Sequence, residues 1–253
     1  MATRKMESSK MGSWCTVVTG ACGGIGRAVV ARLVARGARV LAIGRDCDRL
    51  ADAYWDQPDV DVFACDVSTP EGMEALAATV KKRFDGADGF VHAAGFDAVA
   101  PISMVRADDM QRLFALHAAF PLRFLGWMSK RGNHAPQSSA VLVSSLAAHE
   151  GAKGHAAYAA AKGAVEGFLK PAAAELADKG LRLNAVVLGI VETDMSRSWL
   201  KKLAPPQLDA LRASYPFGFG SPDAAAAAID FLLSPDAAWI TGQTLVCDGG
   251  HSL

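Results

Sequence analysis

A tyrosine and a lysine stand one helical turn apart at Tyr158 and Lys162, thirteen residues beyond Ser145. Because residues four apart share a helix face, the phenol and the ammonium can reach one ligand if the alanine-rich segment around them is helical. A phenol with a pKa of about 10 is a poor acid near neutral pH, and a neighbouring cation moves it toward a useful range. The spacing therefore indicates a proton donor assisted by Lys162. Taken alone, the pair also fits an ordinary amphipathic helix with a solvated lysine.

A glycine-rich loop at Gly20, Gly24 and Gly26 is the second group of residues with a chemical use. It joins a short apolar run, 14–19, to a helical pattern that begins at Ile25. Glycines at this spacing permit a tight turn and close backbone approach, and the amides at the helix N-terminus attract phosphate. Flanked by a strand and a helix, the loop predicts dinucleotide binding.

Strand-like and helical patterns alternate along the chain and must position these residues. Strands are expected at 14–19, 40–43, 60–64, 89–93, 140–144, 182–188 and 244–247. Helices are expected at 25–34, 70–84, 107–130, 154–179 and 222–233. This alternation predicts an α/β fold, a doubly wound parallel sheet with helices on both faces. The long irregular segment 189–221 carries aromatic residues and predicts a substrate lid, the alternative being a peripheral helical hairpin.

Composition limits the classes of function. The chain has 253 residues, 51% of them hydrophobic, and a formal net charge of zero. A zero net charge gives no reason to expect binding to nucleic acid or to an anionic membrane. The length fits one enzyme-sized domain spanning 14–253.

The cysteines and the N-terminal segment bear on the compartment. Five cysteines show neither CxxC nor any metal-ligand spacing, so reduced thiols and no metal site are expected. Residues 1–13 are polar, and no apolar stretch long enough for a signal peptide or a membrane span follows them. A disordered tail on a cytoplasmic protein is the expectation.

The ordered set of motifs resembles the single-domain type of the short-chain dehydrogenase/reductase family, close to the reductases of fatty-acid synthesis. The residues that carry the resemblance are Thr19 to Gly26, Asp66 and Val67, Ala93 to Gly95, Ser145, Tyr158, Lys162, and Glu192 to Met195. They cover nearly the whole chain. The resemblance implies a seven-stranded Rossmann-type sheet, a bound nicotinamide dinucleotide, and a homo-oligomer, tetramer or dimer.

The same resemblance implies roles for individual catalytic residues. Ser145 would hydrogen-bond the substrate carbonyl, and Tyr158 would protonate the alkoxide. Lys162 would hold the ribose hydroxyls and lower the pKa of Tyr158. Ser144 or Ser145 as a cap at the end of a strand is the alternative.

Cofactor contacts follow from the resemblance in the same way. Besides the glycine loop with Ile25, it places Asp66 with Val67 at the adenine, Ala94 with Gly95 after the fourth strand, and Thr193 at the nicotinamide carboxamide. For Asp66, a turn-forming role before the helix start at Ser68 to Pro70 is the alternative.

The choice between the two cofactors depends on the end of the second predicted strand. An NAD-binding protein usually has an acid there for the ribose 2′-hydroxyl, whereas this chain has Gly44 and Arg45. A guanidinium binds a 2′-phosphate through charge-assisted bonds, so the sequence favours NADP over NAD. The alternative is a solvated Arg45 paired with Asp46 or Asp48.

Three positions depart from the family pattern. His117 stands where relatives carry a catalytic asparagine, and it lies on an apolar helical stripe that faces the sheet. It is either a satisfied core histidine or a member of a proton relay that would titrate near neutral pH. Leu188-Gly189 replaces Pro-Gly, and the segment 216–220 lacks the usual arginine.

Together these residues predict an NADP-dependent oxidoreductase that interconverts a ketone and a secondary alcohol, with Tyr158 as acid and base. A 3-oxoacyl thioester, a sugar, a polyketide or a cyclic ketone all remain open as substrate. An NAD-dependent alcohol or dihydrodiol dehydrogenase is the alternative within enzymes. A non-catalytic, dinucleotide-sensing relative is the alternative of another class.

Overall fold

A computed structural model describes residues 14–253, which form a seven-stranded parallel sheet in the order β3-β2-β1-β4-β5-β6-β7. The predicted tail, 1–13, lies outside the described residues. The strands are β1 (Trp14–Thr19), β2 (Val40–Gly44), β3 (Val60–Ala64), β4 (Gly86–His92), β5 (His134–Ser145), β6 (Arg182–Leu188) and β7 (Thr244–Cys247). This parallel order confirms the predicted Rossmann-type sheet.

Helices cover both faces of this sheet. They are α1 (Gly24–Ala35), α2 (Cys47–Tyr54), α3 (Pro70–Arg83), α4 (Ala107–Phe114), α5 (Phe120–Met128), α6 (Ala156–Ala177), α7 (Asp194–Leu200), α8 (Pro205–Ala213) and α9 (Pro222–Leu233). Between α4 and α5 the helical path continues as one wide, π-type turn, Ala115–Ala119. In the part of the chain that the structure describes, no helix is long and apolar enough to span a membrane.

Two apolar cores sit on opposite sides of the sheet. Leu33 of α1 and Ile229 of α9 are buried on one side, where these two helices pack together. On the other side, Phe90 of β4 packs against Phe124 of α5 with ring centroids 4.7 Å apart. A parallel sheet covered in this way has strands that are apolar on both faces, as the buried run Val40 to Ile43 of β2 shows.

The strand order places a crevice beside the residues singled out above. The chain winds from β1 outward to β3, returns to β4, and then winds to β7 in the other direction. Ligands of doubly wound sheets bind outside the carboxyl ends of the strands where this order reverses. Thr19 ends β1 and pairs with His92 of β4, and Ser145 ends β5. These strand ends meet at one edge of the sheet.

Element boundaries differ from the predictions in five places, the first being β4, which begins at Gly86 and not at residue 89. β5 begins at His134 and not at residue 140, and α2 was not predicted. The single helix expected over 107–130 is divided by the π-type turn. The segment 189–221 was expected to be irregular, which is wrong in part because α7 and α8 form within it. Thr193 and Ser196 form a capping box at the start of α7. Prolines occupy the first positions of α8, where no backbone donor is needed.

Candidate active site

Strand β5 and helix α6 bring together three of the four residues with predicted catalytic roles. Ser145 is the last residue of β5, and Tyr158 and Lys162 lie one turn apart near the start of α6. Glu166, one turn further along α6, accepts hydrogen bonds from Ser144 Oγ at 2.7 Å and pairs with His149 Nε2 at 2.9 Å. These contacts fix the helix against the end of the strand.

The Lys162 side chain is only 4% exposed, an unusual environment for a charged group. Its Nζ donates a hydrogen bond to the carbonyl oxygen of Val143 at 2.8 Å. Burial lowers the pKa of Lys162 to about 8. An ammonium has three donors, so further acceptors, such as ribose hydroxyls, can bind beside that carbonyl.

Tyr158 lies beside Lys162, with its ring centroid 5.7 Å from Nζ. Burial raises the pKa of Tyr158 above its ordinary value, the charge of Asp97 raises it further, and the Ser145 hydroxyl offsets part of the rise. The expected net lowering by Lys162 is therefore not found in the free protein. A phenol that keeps its proton is the form that protonates an alkoxide.

The hydroxyl of Ser145 is placed both to cap a turn and to contact Tyr158. Its Oγ accepts a hydrogen bond from Ala147 N at 3.2 Å, as a cap of the turn after β5. Its effect on the pKa of Tyr158 places the same hydroxyl beside the phenol. Capping by Ser145 thus coexists with a position at the active-site wall.

His117 lies in the π-type turn, is 1% exposed and packs edge-on against Tyr158 with ring centroids 5.5 Å apart. Its Nε2 donates to the Phe96 carbonyl at 3.1 Å, which leaves Nδ1 as an acceptor. Among the described residues, this buried Nδ1 has no hydrogen-bond partner. Burial lowers the pKa of His117 to about 2, which contradicts a titration near neutral pH. The predicted inward orientation is confirmed.

The glycine loop has the close packing that a phosphate-binding turn requires. Gly20 has φ +70°, and a Cβ there would lie 2.6 Å from the backbone N of Ala94. A Cβ on Gly26 would collide with the carbonyl oxygen of Gly20. The N-cap of α1, Gly23, has no side chain to cap the first-turn amides, including that of Ile25. The loop therefore fits a dinucleotide phosphate.

The residues predicted to bind the adenosine end lie at the ends of β2 and β3. Arg45 follows β2 and is exposed, and among the described residues it takes part in no ion pair with Asp46 or Asp48. Asp66 is also exposed, and its Oδ1 accepts hydrogen bonds from Ser68 N and Oγ. These bonds form a turn, which is the alternative role that the sequence predicts for Asp66. The Val67 side chain belongs to the core.

The remaining predicted cofactor residues surround the mouth of the crevice. Ala94 N donates to Thr19 Oγ1 at 3.4 Å, and a side chain at Gly95 would collide with the His117 ring. Thr193 caps α7, and its methyl group lies against Gly24. The backbone after Leu188-Gly189 is held by Tyr215, whose hydroxyl accepts from Ile190 N at 3.2 Å.

A cavity of about 550 Å³ opens beside Ser145 and Tyr158. Its lining includes residues that the sequence analysis did not single out: Asp97, Glu150, His155 and His251. Two signals were available in the sequence, because Asp97 follows the Gly95 motif by two residues and His155 precedes Tyr158 by three. Glu150 and His251 carry no such signal, since they meet only in the fold.

Comparisons with known proteins agree with this architecture. A family model described as enoyl-(acyl carrier protein) reductase matches residues 20–252. The 3-oxoacyl-[acyl-carrier-protein] reductase FabG of Vibrio cholerae is 34% identical, covering 92% of this chain and 95% of that protein. D-threitol dehydrogenase of Mycolicibacterium smegmatis is 33% identical, covering 94% and 92%. The NADPH-bound short chain oxidoreductase of Pseudomonas aeruginosa PAO1, described as having an atypical catalytic center, gives a TM-score of 0.82 at 29% identity, covering 94% and 97%.

The fold and the matched relatives define an oxidoreductase that uses a nicotinamide dinucleotide and acts on CH–OH and C=O groups. The chain belongs to the short-chain dehydrogenase/reductase family.

Acidification should destabilise the fold through two buried histidines. Burial lowers the pKa of His92 to about 3 and that of His117 to about 2, whereas histidine in an unfolded chain titrates near 6.5. Below pH 6.5 the unfolded chain binds more protons, so the free energy of unfolding falls by up to about 1.4 kcal/mol per pH unit for each ring. Urea unfolding at pH 7, 6 and 5 measures this slope.

Replacing the His117 ring tests whether that ring stays neutral in the folded protein. His117→Asn should reduce the slope by about one proton. Equal slopes in the unaltered protein and His117→Asn would show that His117 does not remain neutral in the fold.

Proposed function

We propose that this protein is an NADP-dependent reductase that interconverts a ketone and a secondary alcohol by hydride transfer, with Tyr158 as general acid and base. One observation carries the proposal: Ser145 and Tyr158 line a cavity that also reaches Ile25 of the glycine loop and Thr193. A carbonyl in this cavity therefore lies between the proton donor and the dinucleotide site. Bound there, the nicotinamide supplies the hydride.

Each catalytic side chain has a role consistent with its surroundings. Ser145 hydrogen-bonds the carbonyl oxygen and orients it toward Tyr158. Tyr158, whose pKa is raised by burial and by Asp97, delivers its proton to the alkoxide oxygen. Lys162 uses the ammonium donors left beside the Val143 carbonyl to hold the ribose hydroxyls.

His117 is proposed as a positioning residue. Its bond to the Phe96 carbonyl holds the loop after β4 against the π-type turn. The ring packs edge-on against Tyr158 and, as a neutral imidazole, holds the phenol in place without adding a charge beside it.

Two observations support NADP as the cofactor. Arg45 follows β2 with an exposed side chain, at the place where NAD-binding proteins carry an acid. A solved structure with a similar chain is described as NADPH-bound. A guanidinium matches the geometry and charge of a 2′-phosphate.

A 3-oxoacyl thioester is the first substrate class to test, because the FabG protein of Vibrio cholerae carries that name. Polyol oxidation is the second, because D-threitol dehydrogenase is nearly as similar. The segment 189–221 is proposed as a lid, since Met195, Trp199 and Leu203 within it line the cavity. All five cysteines are free, which supports a cytoplasmic location.

A homo-oligomer, a tetramer in the first instance, accounts for an exposed apolar edge. Among the described residues, strand β7 pairs only with β6, and Leu245 and Val246 of this edge strand are exposed. Trp239 nearby in the chain is fully exposed. Apolar surface along a sheet edge is usually covered by a partner.

Removing the phenol oxygen should abolish turnover. Tyr158→Phe should lower kcat for NADPH-dependent ketone reduction by about 10²–10⁴-fold, the usual contribution of a general acid, and should retain NADPH binding. The assay follows absorbance at 340 nm with an acetoacetyl thioester, a cyclic ketone, a quinone and a keto-sugar. Silence across this panel despite tight NADPH binding would favour the dinucleotide-sensing alternative.

Cofactor preference should depend on one guanidinium. Arg45→Ala should weaken NADPH binding by about tenfold or more and leave NADH binding unchanged, because only NADPH has the 2′-phosphate. Arg131→Ala makes the same charge change at an exposed position beyond α5 and serves as control. Titration of nicotinamide fluorescence gives both dissociation constants. The assignment fails if the unaltered protein binds NADH as tightly as NADPH.

A charge on the exposed edge should change the assembly. Light scattering should give the mass of a tetramer for the unaltered protein and a smaller species for Val246→Lys, since the charge would be buried unpaired. Trp55→Lys, at another exposed apolar position, should keep the original mass. A monomeric unaltered protein would refute the oligomer.

A further inference from the structure

Two polar side chains that were not predicted as catalytic, Asp97 and His155, also line the cavity. Asp97 follows β4, His155 immediately precedes α6, and their side chains are 17% and 27% exposed. Asp97 Oδ2 and His155 Nε2 are 3.4 Å apart. Among the described residues, the buried atoms Asp97 Oδ1 and His155 Nδ1 have no hydrogen-bond partner.

This pair lies next to the reacting position. The rings of His155 and Tyr158 have centroids 6.4 Å apart. The charge of Asp97 contributes to the raised pKa of Tyr158, so the carboxylate is within electrostatic reach of the phenol. A group on the carbon beside a bound carbonyl would therefore face Asp97 and His155.

Two carboxylates, Asp97 and Glu150, line the cavity. Glu150 supplies a second carboxylate, with its Oε1 3.1 Å from His251 Nε2. Within the described chain, no lysine or arginine lines this cavity, because Lys162 is enclosed behind Tyr158. Much of the remaining lining is apolar, including Ile190 and Trp199. An anionic substituent would be repelled here and would lose its hydration without gaining a cation.

The Asp97 carboxylate lines this largely apolar cavity with only a long contact to His155, and a hydrogen-bond donor on a ligand would lower the cost of holding it there. We propose that the cavity selects carbonyl compounds that carry a donor, a hydroxyl or an ammonium, next to the reacting carbonyl, and that Asp97 with His155 binds this donor. The inference rests on the proposed ketone–alcohol chemistry and names its substrate class. It makes Asp97 a specificity-determining residue.

Four phenones of similar size separate the chemistries. Propiophenone carries a methyl group on the α-carbon, 2-hydroxy-1-phenylethanone a hydroxyl and 2-amino-1-phenylethanone an ammonium, whereas phenylglyoxylate carries a carboxylate directly on the carbonyl carbon. Because their intrinsic reactivities differ, the quantity compared is the ratio of kcat/KM between the unaltered protein and Asp97→Asn for each ketone. Intrinsic reactivity cancels in this ratio.

The ratio should be about tenfold for the hydroxyl and ammonium ketones, the loss expected for one hydrogen bond to a charged group. It should stay near one for propiophenone and fall below one for phenylglyoxylate, which the variant repels less. A large ratio for only one donor identifies that donor as the ligand. Equal ratios for all four ketones would overturn the proposal.

Controls separate loss of folding from loss of selection. Asp85→Asn makes the same change at an exposed position before β4, on the opposite edge of the sheet, and should give a ratio of one throughout. Retained NADPH binding checks the fold of each variant, and Asp97→Ser replaces the amide variant if that protein does not fold.

A binding measurement keeps this inference distinct from the proposed function. Calorimetry on the complex with NADP⁺ compares 1-phenylethane-1,2-diol with 1-phenylpropan-1-ol, without any need for turnover. Tighter binding of the diol that Asp97→Asn removes supports selection by Asp97, even if no ketone is reduced and the proposed reaction fails. Equal binding of the two alcohols would overturn the selection, whatever the activity.

Discussion

The site depends on a lysine ammonium held inside the protein with one carbonyl as its partner. Lys162 Nζ is bonded to Val143 O at 2.8 Å, which ties helix α6 to the strand that ends in Ser145. Burying an ammonium is unfavourable unless its donors are bonded, and the lowered pKa of Lys162 expresses this cost. We propose that a dinucleotide ribose supplies the further acceptors for this ammonium. The same burial keeps the neighbouring Tyr158 protonated and suited to act as an acid.

The sheet supports this buried ammonium because strand β5 and helix α6, the two elements around Lys162, are rigid. β5 is flanked by β4 and β6, and the Ser144–Glu166–His149 contacts hold α6 against its end. The π-type turn adds His117 from the other side, and an extra residue in a helical turn is a common way to re-aim a side chain at a functional site. The positions and the protonation states of Lys162 and Tyr158 are therefore set by the same packing.

Spacing rules made the central features predictable from the sequence. The four-residue interval from Tyr158 to Lys162, the glycines of the loop and the alternating apolar runs each obey a local periodicity. Other features depend on contacts between distant segments. The pKa of Tyr158 is set by burial and by Asp97, from the loop after β4, and the Glu150–His251 pair joins residues a hundred positions apart. The division at Ala115–Ala119 and the helices α7 and α8 also had no clear periodic signal.

The most direct test of the buried ammonium is the number of protons taken up when NADPH binds at pH 8. Calorimetric titrations in buffers of different ionisation enthalpy measure this number. A free-state pKa of about 8 leaves Lys162 half protonated, so binding that stabilises the ammonium should take up about half a proton. Lys162→Met should lack this uptake, while any contribution from the cofactor itself persists. Identical proton uptake in the unaltered protein and Lys162→Met would contradict a role for the buried ammonium in binding the cofactor.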